Sequence, residues 1–252
     1  MTFDVPAEAY DAFMGRYSVP LATVFADFAA LPEGGRALDV GCGTGALTAV
    51  LAERYGESEV AAVDPSSSFA TAVMARFPWA DVRHGHAEQL PFDDGVFAAT
   101  LAELVVHFMS DPVAGLQEMR RVTHPGGVVA VCVWDFAGGR APQSRFFQAL
   151  RETTGEADDE SDRPGAAQGQ LAALLDTAGC TDVTEGEIGV AQSFDGFDDW
   201  WEPYTLGVAP AGRQLAALDE STRVAVREAA RALFPAGPFT LGVTAWAARG
   251  RA

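Results

Sequence analysis

Cysteine is scarce: Cys42, Cys132 and Cys180 are the 3 cysteines in 252 residues, far apart and in no C-x-x-C pattern. That usage excludes a disulfide framework and a thiolate zinc site as organising elements. The 4 histidines form no cluster at metal-ligand spacing, so no metal is expected. Positive charge is thin as well. Basic residues number 17 against 35 acidic ones, a formal net charge of -18, which repels phosphate backbones and anionic lipid head groups. Nucleic acid and membrane surfaces are therefore not expected as partners, and the excess acid reads as a means of solubility. No apolar run approaches the ~20 residues needed to cross a bilayer. The opening MTFDVPAEAY has no basic stretch followed by an apolar one, so no secretory leader is expected and a reducing cytoplasm is the expected compartment. Nothing in the sequence speaks to oligomeric state.

What is present is a chain with 48% apolar residues and no low-complexity tract, expected to bury one core as a single domain over 1–252. Short apolar runs alternate with amphipathic stretches, as in parallel βαβ units. ALDV (37–40), EVAAVD (59–64), ADVRHG (80–85), VFAATLA (96–102) and GVVAVCVW (127–134) read as strands. Helices are expected over 46–55, 67–77 and 113–122, the last closed by Pro125-Gly126-Gly127. The unbroken apolar character of 127–134 is that of a strand covered on both faces. Further on, 169–179 reads as a helix, and 181–190 and 238–250 as strands. Three pieces exceed a bare sheet: 1–30, 136–165 and 191–237. They are expected to assemble a helical lid over the carboxyl ends of the strands, where open α/β sheets bind ligands.

The most informative stretch is ALDVGCGTGALT (37–48), in which Gly41, Gly43 and Gly45 follow a strand and open a helix. Glycine there permits positive φ and a close approach of backbone to ligand, with a polar end seated on the free amides of the helix. The run through Ala46 also fits the loose dinucleotide pattern G-x-G-x-x-G/A. A nicotinamide-dependent oxidoreductase is therefore an alternative, although it would ask for a Tyr-x-x-x-Lys or similar constellation that the chain lacks. Asp39 brings a carboxylate that suits a cationic amino group better than a pyrophosphate, or else orients the loop amides. Asp64 ends the second strand where a carboxylate accepts bonds from an adenosine ribose, with a helix cap ahead of Pro65 and Ser66 as the plainer reading.

This loop resembles motif I of the class I S-adenosylmethionine-dependent methyltransferases. VAAVDPS (60–66), GHAEQLPFDDGVF (85–97) and EMRRVTHPGGVVAVCVWD (118–135) continue the likeness in register. The match is nearest to the small-molecule group that includes the quinone-biosynthesis enzymes, methyltransferase type 11. The resemblance implies an α/β, Rossmann-like, seven-stranded and mostly parallel sheet with its last strand antiparallel, helices on both faces and a helical lid. It also implies S-adenosyl-L-methionine as cofactor, S-adenosyl-L-homocysteine as product and a small-molecule methyl acceptor. Carried onto this chain, it assigns Gly41, Gly43 and Gly45 to the methionine and ribose side, Asp64 to the ribose hydroxyls, and Ala87 with its neighbours to adenine. Cys42, Pro65, Ser66, Glu88 and Ala102 join that cofactor set, as does Asp39. His86 stands where the family often has aspartate, offering an acceptor nitrogen or a stacking ring. AEAYDAFMGRYS (7–18) resembles an N-terminal cap in which Tyr10, Tyr17 or Arg16 closes over the cofactor, Arg16 pairing with the methionine carboxylate.

Methyl transfer from a sulfonium needs alignment and exclusion of water, and no covalent intermediate. A base with pKa near the working pH would add roughly 10²- to 10⁴-fold for an acceptor that must lose a proton. His107 is the first candidate and Glu103 the second, both just past the fourth strand, with packing and a solvated loop charge as their plainer roles. His124 reads as a helix-end cation, and His84 has no evident partner. Phe194, Phe197, Trp200, Trp201 and Tyr204 could line an aromatic acceptor pocket or simply pack the insertion down. Asp135, ending the fifth strand, is a candidate acceptor contact or a turn residue. A protein that binds the cofactor without transferring methyl also remains open, because fold alone does not set activity.

Overall fold

Seven strands form one sheet in the computed structural model, which describes residues 11–252. They are β1 (Ala37–Val40), β2 (Val60–Asp64), β3 (Asp81–His84), β4 (Phe97–Glu103), β5 (Thr123–Trp134), β6 (Thr181–Phe194) and β7 (Phe239–Arg251). The order across the sheet is β3-β2-β1-β4-β5-β7-β6. The first five run parallel, whereas β7 is antiparallel to both its neighbours, β5 and β6. Every residue of β1 and β2 is buried, which is why those segments read as unbroken apolar runs. β6 lies at the edge, and its polar text TDVTEGEIGVAQSF carries mostly exposed or half-buried positions, a common means of keeping an edge strand from pairing further.

The helices are α1 (Arg16–Phe28), α2 (Ala46–Tyr55), α3 (Ser67–Arg76), α4 (Pro112–Val122), α5 (Ser144–Thr154) and α6 (Gln170–Thr177). Between β6 and β7 come α7 (Phe197–Trp201), α8 (Ala209–Ala217) and α9 (Glu220–Arg231). α4 starts where Asp111 accepts the Ala114 amide at 3.0 Å and Pro112 occupies the first turn, satisfying an amide the helix cannot pair itself. It stops at Val122 as expected, but the strand that follows begins at Thr123 rather than 127. The Thr123 hydroxyl donates to the Met119 carbonyl at 2.7 Å and accepts from Thr100 at 2.7 Å. That pins Thr123 beside β4, and the Pro-Gly-Gly run then forms an irregularity in the pairing before Val128 meets Ala99. β6 likewise extends four residues beyond the expected 190, because Ala191 through Phe194 pair with Gly242 through Phe239.

The excess segments interlock. Phe13 meets the Tyr204 ring edge-on at 5.2 Å, and Phe146 of α5 stacks on it at 4.7 Å. Trp200 of α7 touches Phe234 at 4.5 Å, and α9 packs on α5. One aromatic cluster thus joins parts of all three pieces, the amino-terminal, middle and late insertions.

Gly45 opens α2 with φ 89°, and a Cβ built there would lie 2.5 Å from a Phe77 ring carbon. Gly45→Ala therefore combines left-handed strain with overpacking, and is expected to cost about 2–4 kcal/mol. A lowered midpoint in urea with an unchanged slope is the expected observation.

Candidate active site

The carboxyl ends of β1, β2 and β4 open into a cleft lined by Gly41, Gly43, Asp64, Ala87 and Phe108, at the edge where open α/β sheets bind ligands. The chain reverses sharply after β1. The amides of Gly41 and Cys42 both donate to the Val63 carbonyl, at 2.7 and 3.1 Å, which folds the glycine loop against the end of β2. At Gly41, with φ 72°, a Cβ would sit 2.5 Å from Val105, so only glycine lets these walls approach. Asp64 faces the loop across the cleft. Its Oδ2 accepts the Gly43 amide at 2.9 Å and its Oδ1 the Ser66 amide at 2.7 Å, leaving each oxygen a lone pair in reserve. Burial pushes its pKa up, opposed by those two amides and by His84 and His86.

A second, smaller cavity lies behind the loop, sharing Gly41, Gly43, Glu103 and Leu104 with the cleft. Asp39 borders it. Its Oδ2 accepts the Thr48 hydroxyl at 2.6 Å, and burial pushes the carboxyl up to about 7 against that bond. Glu103 stands at the seam of the two cavities with its buried Oε1 unpaired, and burial, with the Asp39 charge adding, holds its pKa well above the ordinary value. A diol acceptor at one end and a buried, unpaired acid at the other make this pair of cavities complementary to a ligand with a sugar and a cationic group. The residues present therefore fit the cofactor that the resemblance implies.

A third, small cavity adjoins the cleft across Leu104 and Phe108 and is bordered by His107, Trp134, Gln143 and Glu160. Leu104 takes φ 59° there, a strained setting for a branched residue. His107 is buried against the Phe108 and Phe136 rings. Burial, with the Arg163 charge adding, pushes it down from 6.5 to about 3, so the ring is neutral at ordinary pH. The unfolded chain takes up a proton near 6.5 and the folded one does not, so His107 costs stability as pH falls from 6.5 toward 3, by up to about 1.4 kcal/mol per unit. Asp39 acts in the opposite sense, its raised pKa costing stability as pH rises from 3.8 to about 7. Comparing wild type with His107→Phe isolates the histidine: urea unfolding at pH 6.5, 5.5 and 4.5 is expected to show a steeper acid loss in the wild type.

Pro65, Ser66, His86, Ala87 and Glu88 all border the cleft. Glu88 also accepts the amides of Ser110 and Asp111, at 2.7 and 3.3 Å, fixing the wall opposite. Cys42 borders only the second cavity. Other residues of the expected set lie elsewhere in the fold. Gly45 reaches none of these cavities and is a packing glycine against Phe77. Ala102 is fully buried within the sheet, paired with Val131. Arg16 is held 3.3 Å from Asp199 and over the Phe194 ring, because that carboxylate neutralises it locally. Asp135 is buried and bonded to Trp246, Gly138 and Arg140, leaving it committed to the fold. Trp200, Trp201 and Tyr204 are 2%, 6% and 3% exposed and pack on Phe146, Phe197 and Phe234 rather than lining the cleft. Tyr10 lies outside the described residues. No local pattern points to Leu104, Phe108 or Glu160, whose neighbours around the cavities come from distant segments. Among the described residues no group of three potential metal ligands comes together, and no helix is long and apolar enough to cross a membrane.

A family model described as a methyltransferase domain matches residues 38–131, the stretch that builds the cleft. The demethylmenaquinone methyltransferase of Lysinibacillus sphaericus is 32% identical over 176 residues, covering 62% of this chain and 74% of that protein. Two solved structures share the fold. A SAM-dependent methyltransferase of Thermotoga maritima has a TM-score of 0.56 at 20% identity, over 97% of this chain and 94% of that one. Geranyl diphosphate C-methyltransferase of Streptomyces coelicolor, solved with Mg2+, geranyl diphosphate and S-adenosyl-L-homocysteine, has a TM-score of 0.54 at 16% identity, over 92% and 79%. With its sheet order, glycine loop and strand-end aspartate all in place, the chain belongs to the class I S-adenosylmethionine-dependent methyltransferases.

Proposed function

We propose that this enzyme transfers the methyl group of S-adenosyl-L-methionine to a small-molecule acceptor, releasing S-adenosyl-L-homocysteine. The observation that carries the reading is the adjacency of the three cavities: the cleft shares its glycine rim and Glu103 with the second, and Leu104 and Phe108 with the third. Asp64 would accept the ribose hydroxyls on its free lone pairs, and Ala87 with His86 would face the adenine. Glu103 and Asp39 would hold the cationic end. The bound cofactor supplies an activated methyl group, so the chain's own task is to orient the acceptor and keep water out. The apolar wall of Leu104, Val105, Phe108 and Met109 suits that second task. A small-molecule acceptor agrees with the surplus of acidic over basic residues, which disfavours polyanions.

Calorimetry of the purified protein with S-adenosyl-L-methionine, S-adenosyl-L-homocysteine and NAD tests the cofactor, and release of S-adenosyl-L-homocysteine over a panel of metabolites tests transfer. Binding of both adenosyl-sulfur ligands, followed by turnover on metabolites, is expected. Binding of NAD alone would overturn the reading, and methylation of RNA or protein with none on metabolites would sink the acceptor class.

A further inference from the structure

Four acids, Asp39, Asp64, Glu88 and Glu103, border the cleft or the cavity behind the glycine loop, and among the described residues no arginine or lysine joins them. Three are engaged by the fold. Asp39 accepts the Thr48 hydroxyl, Asp64 the amides of Gly43 and Ser66, and Glu88 those of Ser110 and Asp111. Glu103 is the exception, with its Oε1 buried and unpaired. A carboxylate oxygen in that state is costly, so its place beside an open cleft points to a cation that the ligand supplies.

The sheet fixes where that cation would be. Glu103 is the last residue of β4 and pairs with Cys132 of β5, and the Leu104 amide that follows donates to the Cys132 carbonyl at 2.9 Å. On the other side, Val40 of β1 pairs with Val63 of β2, and Asp39 of β1 with Leu101 of β4. Carrying those registers one and two residues further sets Asp64, Gly41 and Glu103 in one row across the ends of three adjacent strands. At the usual strand spacing the backbones of Asp64 and Glu103 stand about 10 Å apart along that row. Gly41, between them, has no side chain to divide the space. On S-adenosyl-L-methionine the sulfur hangs one carbon off the ribose ring and begins the methionine tail. With the ribose at Asp64 and the tail turned toward the second cavity, the sulfur would come to the seam, where Gly41, Gly43, Glu103 and Leu104 are the shared residues. Only Glu103 among these carries a charge.

Resting on the methyltransferase reading above, we propose that Glu103 is the residue by which the enzyme tells its cofactor from its product: its carboxylate is the counter-ion of the sulfonium, and Asp39 is left to the ammonium. Methyl transfer leaves a neutral sulfur, so the product loses this attraction and exchange for fresh cofactor is favoured. Because the sulfur charge is already fading in the transition state, the contact serves binding and exchange rather than rate. The groups around Glu103 are acidic ones: Asp39 from β1, Asp64 from β2 and the Cys132 thiol from β5, with Glu88 and the His86 ring also on the cleft. Burial and the Asp39 charge hold Glu103 toward its protonated form. A sulfonium brought against it favours the ionised form, so cofactor binding passes that proton to the solvent, and product binding does not.

Calorimetry on wild type and Glu103→Gln reads this directly, with three ligands: S-adenosyl-L-methionine, S-adenosyl-L-homocysteine and the analogue that carries an ammonium in place of the methylsulfonium. At pH 7.5 wild type is expected to bind the two cationic ligands at least about tenfold more tightly than S-adenosyl-L-homocysteine, and Glu103→Gln to bring all three within about threefold, with the product's own affinity little changed. Repeating the titrations in phosphate and Tris, whose ionisation enthalpies differ, counts protons. With S-adenosyl-L-methionine wild type is expected to release more protons than Glu103→Gln, by up to one, whereas the two proteins agree with S-adenosyl-L-homocysteine. Product binding as tight as the cationic pair overturns the proposal, as does a preference or a proton count that Glu103→Gln leaves unaltered. A preference for S-adenosyl-L-methionine that the ammonium analogue does not share traces the effect to the methyl group and overturns it too. Failure of all three to bind sinks the cofactor reading itself, whereas binding without regard to charge removes only the role given to Glu103.

Discussion

Asp64→Ala is expected to weaken S-adenosyl-L-methionine binding by about 10²- to 10⁴-fold, read as loss of the calorimetric isotherm at concentrations that saturate the wild type. Two contributions add. The carboxylate would accept two ribose hydroxyls, each charge-assisted bond worth about 1.5–3 kcal/mol. The same oxygens hold the Gly43 and Ser66 amides at 2.9 and 2.7 Å, so the variant also frees the glycine loop that forms the opposite wall. Burial already raises the Asp64 pKa, which means the fold carries this charge at a cost, and removing it is expected to lower the melting temperature only slightly. Asp64→Asn separates the contributions. One oxygen remains to accept an amide or a hydroxyl, the other becomes a donor, and an intermediate loss is expected. An unchanged dissociation constant in Asp64→Ala would place the ribose elsewhere in the cleft.

The parts of this enzyme that were legible in its sequence are those written in local grammar. β1, β2, β4 and the second half of β5 are covered on both faces, and such burial leaves an unbroken apolar run. The glycine loop was legible because positive φ at Gly41, Gly43 and Gly45 leaves few alternatives to glycine. What was not legible depends on partners far along the chain. Arg16 looks free until Asp199, 183 positions later, is folded against it. α5 was missed because SRFFQALRETT carries no strong start signal, its first residue following Gln143 without a side-chain cap, while its Phe146 and Phe147 have a use only once α9 and Tyr204 lie across them. Glu160 is the clearest instance, since nothing in an acidic loop distinguishes the one carboxylate that turns inward from those that stay in water. The aromatic residues Trp200, Trp201 and Tyr204 invite a ligand reading for a related reason: rings that bind a flat molecule and rings that bind one another have the same composition.

Asp135 carries the second large expectation, one that separates a scaffold role from an acceptor contact. Its Oδ1 accepts the Trp246 indole N–H at 2.9 Å and the Gly138 amide at 3.0 Å, and its Oδ2 accepts Arg140 Nε at 2.5 Å. Arg140 in turn reaches Glu187 at 2.7 Å, so one buried carboxylate ties the end of β5 to β7 and, through the arginine, to β6. Asp135→Ala leaves a buried indole N–H and a guanidinium without their acceptor, a type of change that costs about 3–5 kcal/mol. For a chain of this size each kcal/mol moves the melting temperature by about 2–4 °C, so a fall of roughly 6–20 °C is expected. Asp135→Asn retains the shape and one acceptor oxygen for Trp246, and is expected to lose less than half as much. Below its melting temperature the alanine variant should still bind S-adenosyl-L-methionine as the wild type does, because Asp135 borders neither the cleft nor the cavity behind the glycine loop. A variant of unaltered stability whose KM for an acceptor rises would instead put Asp135 in contact with that acceptor, and would require the loop from 136 to 140 to swing away from β7.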